Sequence, residues 1–166
     1  MNFPDGSIAR VQGGTTLTVK SATYDKAIGK TNTSIIVSIG RVWSKVIELA
    51  TPDSSWEVET VTAVAAVRGT AFDTKVTADA TLFAGSEGAV TVAPVDPNTH
   101  NRLETAAIVM GDGKTVEIKN DTLGDLIAGK TKLAAVTLPD AEKRSPWFAD
   151  NEGEDAKVNA FVKTLR

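Results

Sequence analysis

At 166 residues, with 42% hydrophobic and 23% charged side chains, the chain can bury one full core and has the composition of an ordinary globular domain. Its net charge of −3 comes from interspersed acids and bases, so there is no basic stripe for nucleic acid. With no cysteine, a disulfide scaffold, a thiolate nucleophile and a cysteine-ligated metal are excluded.

Aromatic residues make up only 5%, so valine and threonine must supply much of the interior, and their branched Cβ suits a pleated strand. No run of about 18 apolar residues could span a bilayer. The opening Met1-Asn-Phe-Pro-Asp-Gly6 lacks the charged and apolar segments of a signal peptide. The expectation is a cytosolic protein or the excised soluble part of a longer one.

Residues 8–11 and 17–19 alternate with period two around a Gly13-Gly14 turn, and residues 23–33 read as a polar loop. Residues 34–49 contain a phase change. Ile35, Val37 and Ile39 share one face, but beyond Gly40 the apolar set moves to Val42 and Val46. A one-residue slip in a strand must be absorbed by a bulge or corner, and Gly40 is the place for it. Strands follow at 56–62, 64–67, 70–77, 81–84, 88–95, 105–110 and 115–119. They are separated by turns at Arg68-Gly69, Ala78-Asp79, Gly85-Ser86-Glu87, residues 94–101 and Gly111-Asp112-Gly113. Turn signals at this spacing predict a mainly β protein.

The tail changes character. Residues 121–127 suit a short helix and 133–138 a strand. Ser145-Pro146 is a helix start, with a capping hydroxyl before proline at the first helical position. Asn151-Glu-Gly-Glu154 reads as a capping box. It predicts a helix over 152–165 docked on the β body through Phe161, with Val158, Val162 and Leu165 beside it.

A search for reactive groups yields little. His100 is the single histidine and sits in a Pro-Asn-Thr-His-Asn loop, so no nitrogen–sulfur zinc site can be assembled from one chain. The acidic run from Asp150 to Asp155 fails the EF-hand spacing. No serine lies in a Gly-x-Ser-x-Gly elbow, and Glu57 and Glu59 alternate with Trp56 and Val58 as a solvated strand face does. Neither a catalytic residue nor a cofactor or metal site is assigned.

Arg68 stands out because it ends the apolar run 63–67 and precedes Gly69. At a strand corner a buried or half-buried guanidinium needs carbonyls or a carboxylate, and Glu87, before Gly88, is the candidate partner. Arg68, Gly69, Thr70, Glu87 and Gly88 together are read as a structural corner, the glycines supplying a left-handed or crowded backbone.

The run Val58-Glu-Thr-Val-Thr-Ala-Val-Ala-Ala-Val-Arg-Gly-Thr-Ala-Phe72, followed by Glu87-Gly-Ala-Val-Thr-Val92, resembles the core signature of the FecR domain family. Gly40-Arg-Val-Trp-Ser-Lys-Val46 and Val109-Met-Gly-Asp-Gly-Lys-Thr-Val116 are similar to its flanking pieces. The resemblance covers about residues 7–119 and leaves 120–166 as a C-terminal extension with one or two helices packed on the β domain. It implies a β-solenoid-like coil, or irregular β-sandwich, of short strands. It also implies an extracytoplasmic setting, periplasmic or cell-surface, with any membrane contact made through an anchor outside this sequence. The family's best-known members are membrane-anchored regulators relaying a signal from an outer-membrane iron–siderophore transporter to a sigma factor, and many other bacterial surface proteins carry the domain with no defined role. The functional expectation is a non-enzymatic interaction or signal-sensing module that binds a protein or cell-wall glycan and no nucleic acid. A structural envelope component without specific ligand and, more remotely, a carbohydrate-active enzyme stay open.

Overall fold

The computed structural model describes the backbone of residues 1–164 and the side chains of residues 1–160. Its strands are β1 (Ile8–Val11), β2 (Thr16–Asp25), β3 (Lys30–Lys45), β4 (Ser55–Glu59), β5 (Ala63–Val67), β6 (Ala71–Val76), β7 (Ala80–Glu87) and β8 (Val90–Pro94). A 3-10 turn (Glu104–Ala106), β9 (Ile108–Met110), β10 (Lys114–Lys119), α1 (Leu123–Ile127), β11 (Val136–Thr137), α2 (Asp140–Lys143) and α3 (Pro146–Thr164) follow.

The phase change at Gly40 organises the fold. Before it, residues 32–36 of β3 pair in parallel with β4; from Gly40 onward the same strand pairs antiparallel with β6. One long strand thus passes from one half of the sheet to the other. Ile35 and Val37 face inward on the first half and Val42 on the second, while Ile39 is exposed at the slip. A bulge in β3 absorbs the mismatch against β2, since Thr16 opposes Ile39 but Leu17 opposes Val37, leaving Ser38 as the extra residue. Gly40 has φ +106°, and a Cβ on it would lie 2.5 Å from the Cα of Thr15, so only glycine fits.

The two halves curl over one core. Trp56, Val58, Val90 and Val92 come from the first half, and Val42, Phe72, Phe83 and Val116 from the second. Each such side chain contributes about 1.5–3 kcal/mol on full burial. Leu123 and Leu126 of α1 join the same core. The second half is covered on its outer face too, where Trp43, Ala71 and Ala84 pack with Leu138 and Phe148 beneath α3. That is why Arg41 through Lys45 are all buried, without alternation. Trp43 meets Phe148 edge-on, with ring centroids 4.9 Å apart.

The protein is mainly β, with a C-terminal helix on a curled half-barrel sheet. The coil of the sequence expectation would stack its rungs in parallel, whereas among the described residues only the β3–β4 ladder is parallel. Several local readings need correction, among them the strand expected over 105–110, which opens as the 3-10 turn Glu104–Ala106 before β9. Residues 23–33 are not a loop: β2 and β3 run through them to a tight turn at 26–29, where Asp25 accepts the Ala27 amide at 2.9 Å. Thr31 and Thr33 are buried there, and a hydrophobicity pattern does not register inward-facing threonines. Gly85-Ser86 is likewise not a turn but part of β7. Gly85 is small because a Cβ would lie 2.5 Å from the carbonyl oxygen of Gly111.

In the tail, Ser145-Pro146 does start the helix, and Ser145 Oγ accepts the amide of Phe148 at 3.3 Å. The helix is continuous from there, so Asn151 does not cap it. Asn151 is buried within it and donates to the carbonyl of Trp147 at 2.7 Å. Docking is made by Trp147, Phe148 and Asp155; Phe161, Val162 and Leu165 lie outside the residues whose side chains are described.

Candidate functional site

The two glycine corners meet. Gly69 has φ +84° and Gly88 φ +76°, as a left-handed corner requires. A Cβ on Gly88 would lie 2.8 Å from the carbonyl oxygen of Gly69 and 2.9 Å from Cγ2 of Thr70. Thr70 is buried, and its amide and carbonyl pair with those of Val46 at 3.0 and 2.7 Å, fastening the corner to the chain beyond β3.

Arg68 is exposed rather than buried, and its partners are carbonyls. Its guanidinium donates to the carbonyl of Thr51 at 2.6 Å and of Pro52 at 2.9 Å. The expected Arg68–Glu87 pair does not form. Glu87 instead accepts from Lys45, which reaches it along the outer face of the sheet. That hydrogen bond holds the Glu87 carboxyl below the ordinary glutamate value. The corners still share a space: Arg68, Gly69 and Glu87 line a groove of about 560 Å³ with Lys45, Glu48 and the α3 residues Val158 and Asn159.

Beside this groove lies a polar seam that sequence reasoning missed. On the outer face of the second half-sheet, Arg10, Arg41, Trp43, Lys45 and Asp73 stand side by side through the pairings of β1 with β3 and β3 with β6. Asp155 of α3 accepts from Arg10 at 2.6 Å and from the Trp43 indole at 2.8 Å. Asp73 accepts from Nε of Arg41 at 2.8 Å and from the Trp147 indole at 2.8 Å; Glu142 of α2 takes another nitrogen of the same guanidinium. Arg41 also lies over the Trp147 ring, 5.7 Å from its centroid. Burial pushes the Asp73 carboxyl up, against the hydrogen bonds from Arg41 and Trp147. The signal in the sequence was Arg41-Val-Trp-Ser-Lys45, in which a tryptophan shares its strand face with two cations. Without the helix in view that face reads as solvated.

The residues examined for catalysis are held in ion pairs or stand at the surface. Glu57 and Glu59 line a cleft of about 500 Å³ with His100 and Arg102. Arg102 pairs with Glu57 at 2.8 Å and Lys20 with Glu59 at 3.0 Å. His100 is exposed, with φ +56°. Among the described residues no three histidines or acids cluster as metal ligands, and no helix is long and apolar enough to cross a membrane.

The FecR protein family model matches residues 1–91, more than half of the chain, and so takes in both glycine corners. The chain belongs to the FecR family. Two crystal structures, each of a "putative anti-sigma factor" from Parabacteroides distasonis ATCC 8503, are similar to this FecR chain in fold. One is 15% identical with a TM-score of 0.59, covering 89% of this chain and 58% of its own. The other is 13% identical with a TM-score of 0.56, covering 83% and 54%. The chain therefore spans little more than half the length of either structure. No curated protein matches it.

Proposed function

We propose that this chain is the extracytoplasmic sensing part of a FecR-type regulator, a non-enzymatic module that binds a protein partner at the corner groove. Residues 7–119 form the recognition unit and residues 120–166 a helical extension packed on it. The setting is the periplasm or cell surface, with membrane attachment supplied by residues outside these. FecR membership supports a role in signal transduction, and the anti-sigma description of the two similar structures agrees with it. The observation that carries the site is the corner groove itself. The residues that mark the family, Arg68-Gly69 and Glu87, line it together, and Arg68 is exposed along its edge. Arginine on such an edge is the side chain of choice for carboxylates and carbonyls of a partner.

A photo-crosslinking residue at position 68, compared with one at the exposed Val136, tests this in intact cells of the source organism. One discrete protein adduct at 68, absent at 136 and lost in a Glu87→Lys background, is expected. Equal labelling at both positions, or glycan adducts alone, overturns it.

A further inference from the structure

The outer face of the β3–β6–β7 half-sheet is occupied by a helix whose composition does not suit permanent packing. A helix fixed on a sheet ordinarily presents an apolar stripe. Along α3 apolar and polar residues are barely segregated, and among its described side chains the three most buried are Phe148, Asn151 and Asp155, two of them polar. Gly153 lies in the helix interior with nothing within 4 Å of where a Cβ would sit, so no packing demand explains it and it weakens the helix. The helices are joined to the β body through the two-residue β11, both of whose residues are exposed, and through Leu138, which is buried in the outer cluster.

Charge and aromatic packing share the docking. Of the cations on the sheet face, Arg10 meets Asp155 and Arg41 meets Glu142 as well as Asp73, while Lys45 pairs with Glu87; the chain from Asp140 to Asp155 carries six acids against two bases. Its recognition elements are specific: a carboxylate for Arg10 and the Trp43 indole, an aromatic ring against Trp43, and a donor and acid for Asp73 and Arg41. Without an occupant, Trp43 Nε1 and Arg10 would lose the acceptor they now share. The face is a shaped, charged seat.

We propose that this face is a binding seat for an acidic, aromatic-bearing helix of a partner protein, and that α3 occupies it as a displaceable resident. The proposal rests on the reading above of a protein-binding module and names the kind of partner that module takes. Val158 and Asn159 of α3 also wall the corner groove, so displacing the helix would open seat and groove together.

The test uses the full chain and a synthetic peptide of residues 140–160. In the native chain the amides of 151–160 should exchange with solvent at least ~10-fold faster than those of β6, and faster still at high salt. Asp155→Ala should tighten peptide binding at least ~10-fold by emptying the seat, whereas Gly153→Ala should weaken it about 5-fold by strengthening the resident helix. A peptide that itself carries Asp155→Ala should bind neither chain. Exchange of α3 only together with β6, or an Asp155→Ala chain that frees α3 yet takes up no peptide, overturns the proposal. Should Asp155→Ala fail to fold, Gly153→Ala decides alone: unchanged peptide uptake overturns the seat, reduced uptake supports it. Peptide binding without a protein adduct at position 68 would keep the seat and remove the signalling reading; an adduct without peptide binding would do the reverse.

Discussion

Gly88 stands against Gly69: a Cβ added to the first would come within 2.8 Å of the carbonyl oxygen of the second, and both have positive φ. Two turns far apart in sequence therefore support each other through bare backbone. Gly88 cannot acquire a side chain without moving Gly69, whereas a Cβ on Gly69 would press on Glu48, 3.0 Å from its Cα.

Gly88→Ala should accordingly lower stability by about 2–3 kcal/mol, the left-handed conformation and the backbone contact both contributing. Urea unfolding checks it. Gly13→Ala is the control, at a glycine with no atom within 4 Å of its would-be Cβ and no positive φ. A similar loss at both positions would mean that the contact between corners is not what matters.

Asp73 is fully buried and accepts from both Arg41 and Trp147. Asp73→Ala leaves a buried guanidinium without its main partner and should cost about 3–5 kcal/mol. Replacing both ions, Asp73→Leu with Arg41→Met, should recover much of that loss, because an apolar pair has no charge to desolvate. Unfolding midpoints of Asp73→Leu, Arg41→Met and the double variant form the cycle that measures it.

Arg68→Ala should be mild. Its two hydrogen bonds go to carbonyls at an exposed site, and its removal strands no buried group, so a loss of about 0.5–1 kcal/mol is expected. A loss beyond about 2 kcal/mol would make Arg68 a structural pin and weaken its role in partner contact.

Glu87 ties the groove to pH. Its carboxyl is held below the ordinary value by Lys45, so the contribution is present above the unfolded pKa and is lost as pH falls through the folded one. Glu87→Gln should therefore be less stable than the native chain near pH ~7, with the gap closing toward pH ~3. Denaturant midpoints across that range measure it. A constant gap would mean that the Lys45 contact does not select the ionised form.

Much of this was legible in the sequence because it depends on local chemistry. The slip from Ile35 and Val37 to Val42 announced the break at Gly40, since side-chain period in a strand is two whatever the strand packs against. The glycine corners and the Ser145-Pro146 helix start were readable for the same reason: backbone conformation and capping are decided within a few residues. The Arg68–Glu87 pairing, the loop at 23–33 and the cap at Asn151 misread cases in which a distant element supplied the partner. Lys45 captured Glu87, inward-facing threonines found cover, and the sheet gave Asn151 and Asp155 a buried face. The sequence determined that this is a β protein bearing the FecR corner. Only the tertiary structure decided that Arg10 of β1 and Arg41 of β3 meet acids of the C-terminal helices, because a charged residue's burial is set by what the chain brings over it, not by its neighbours in sequence.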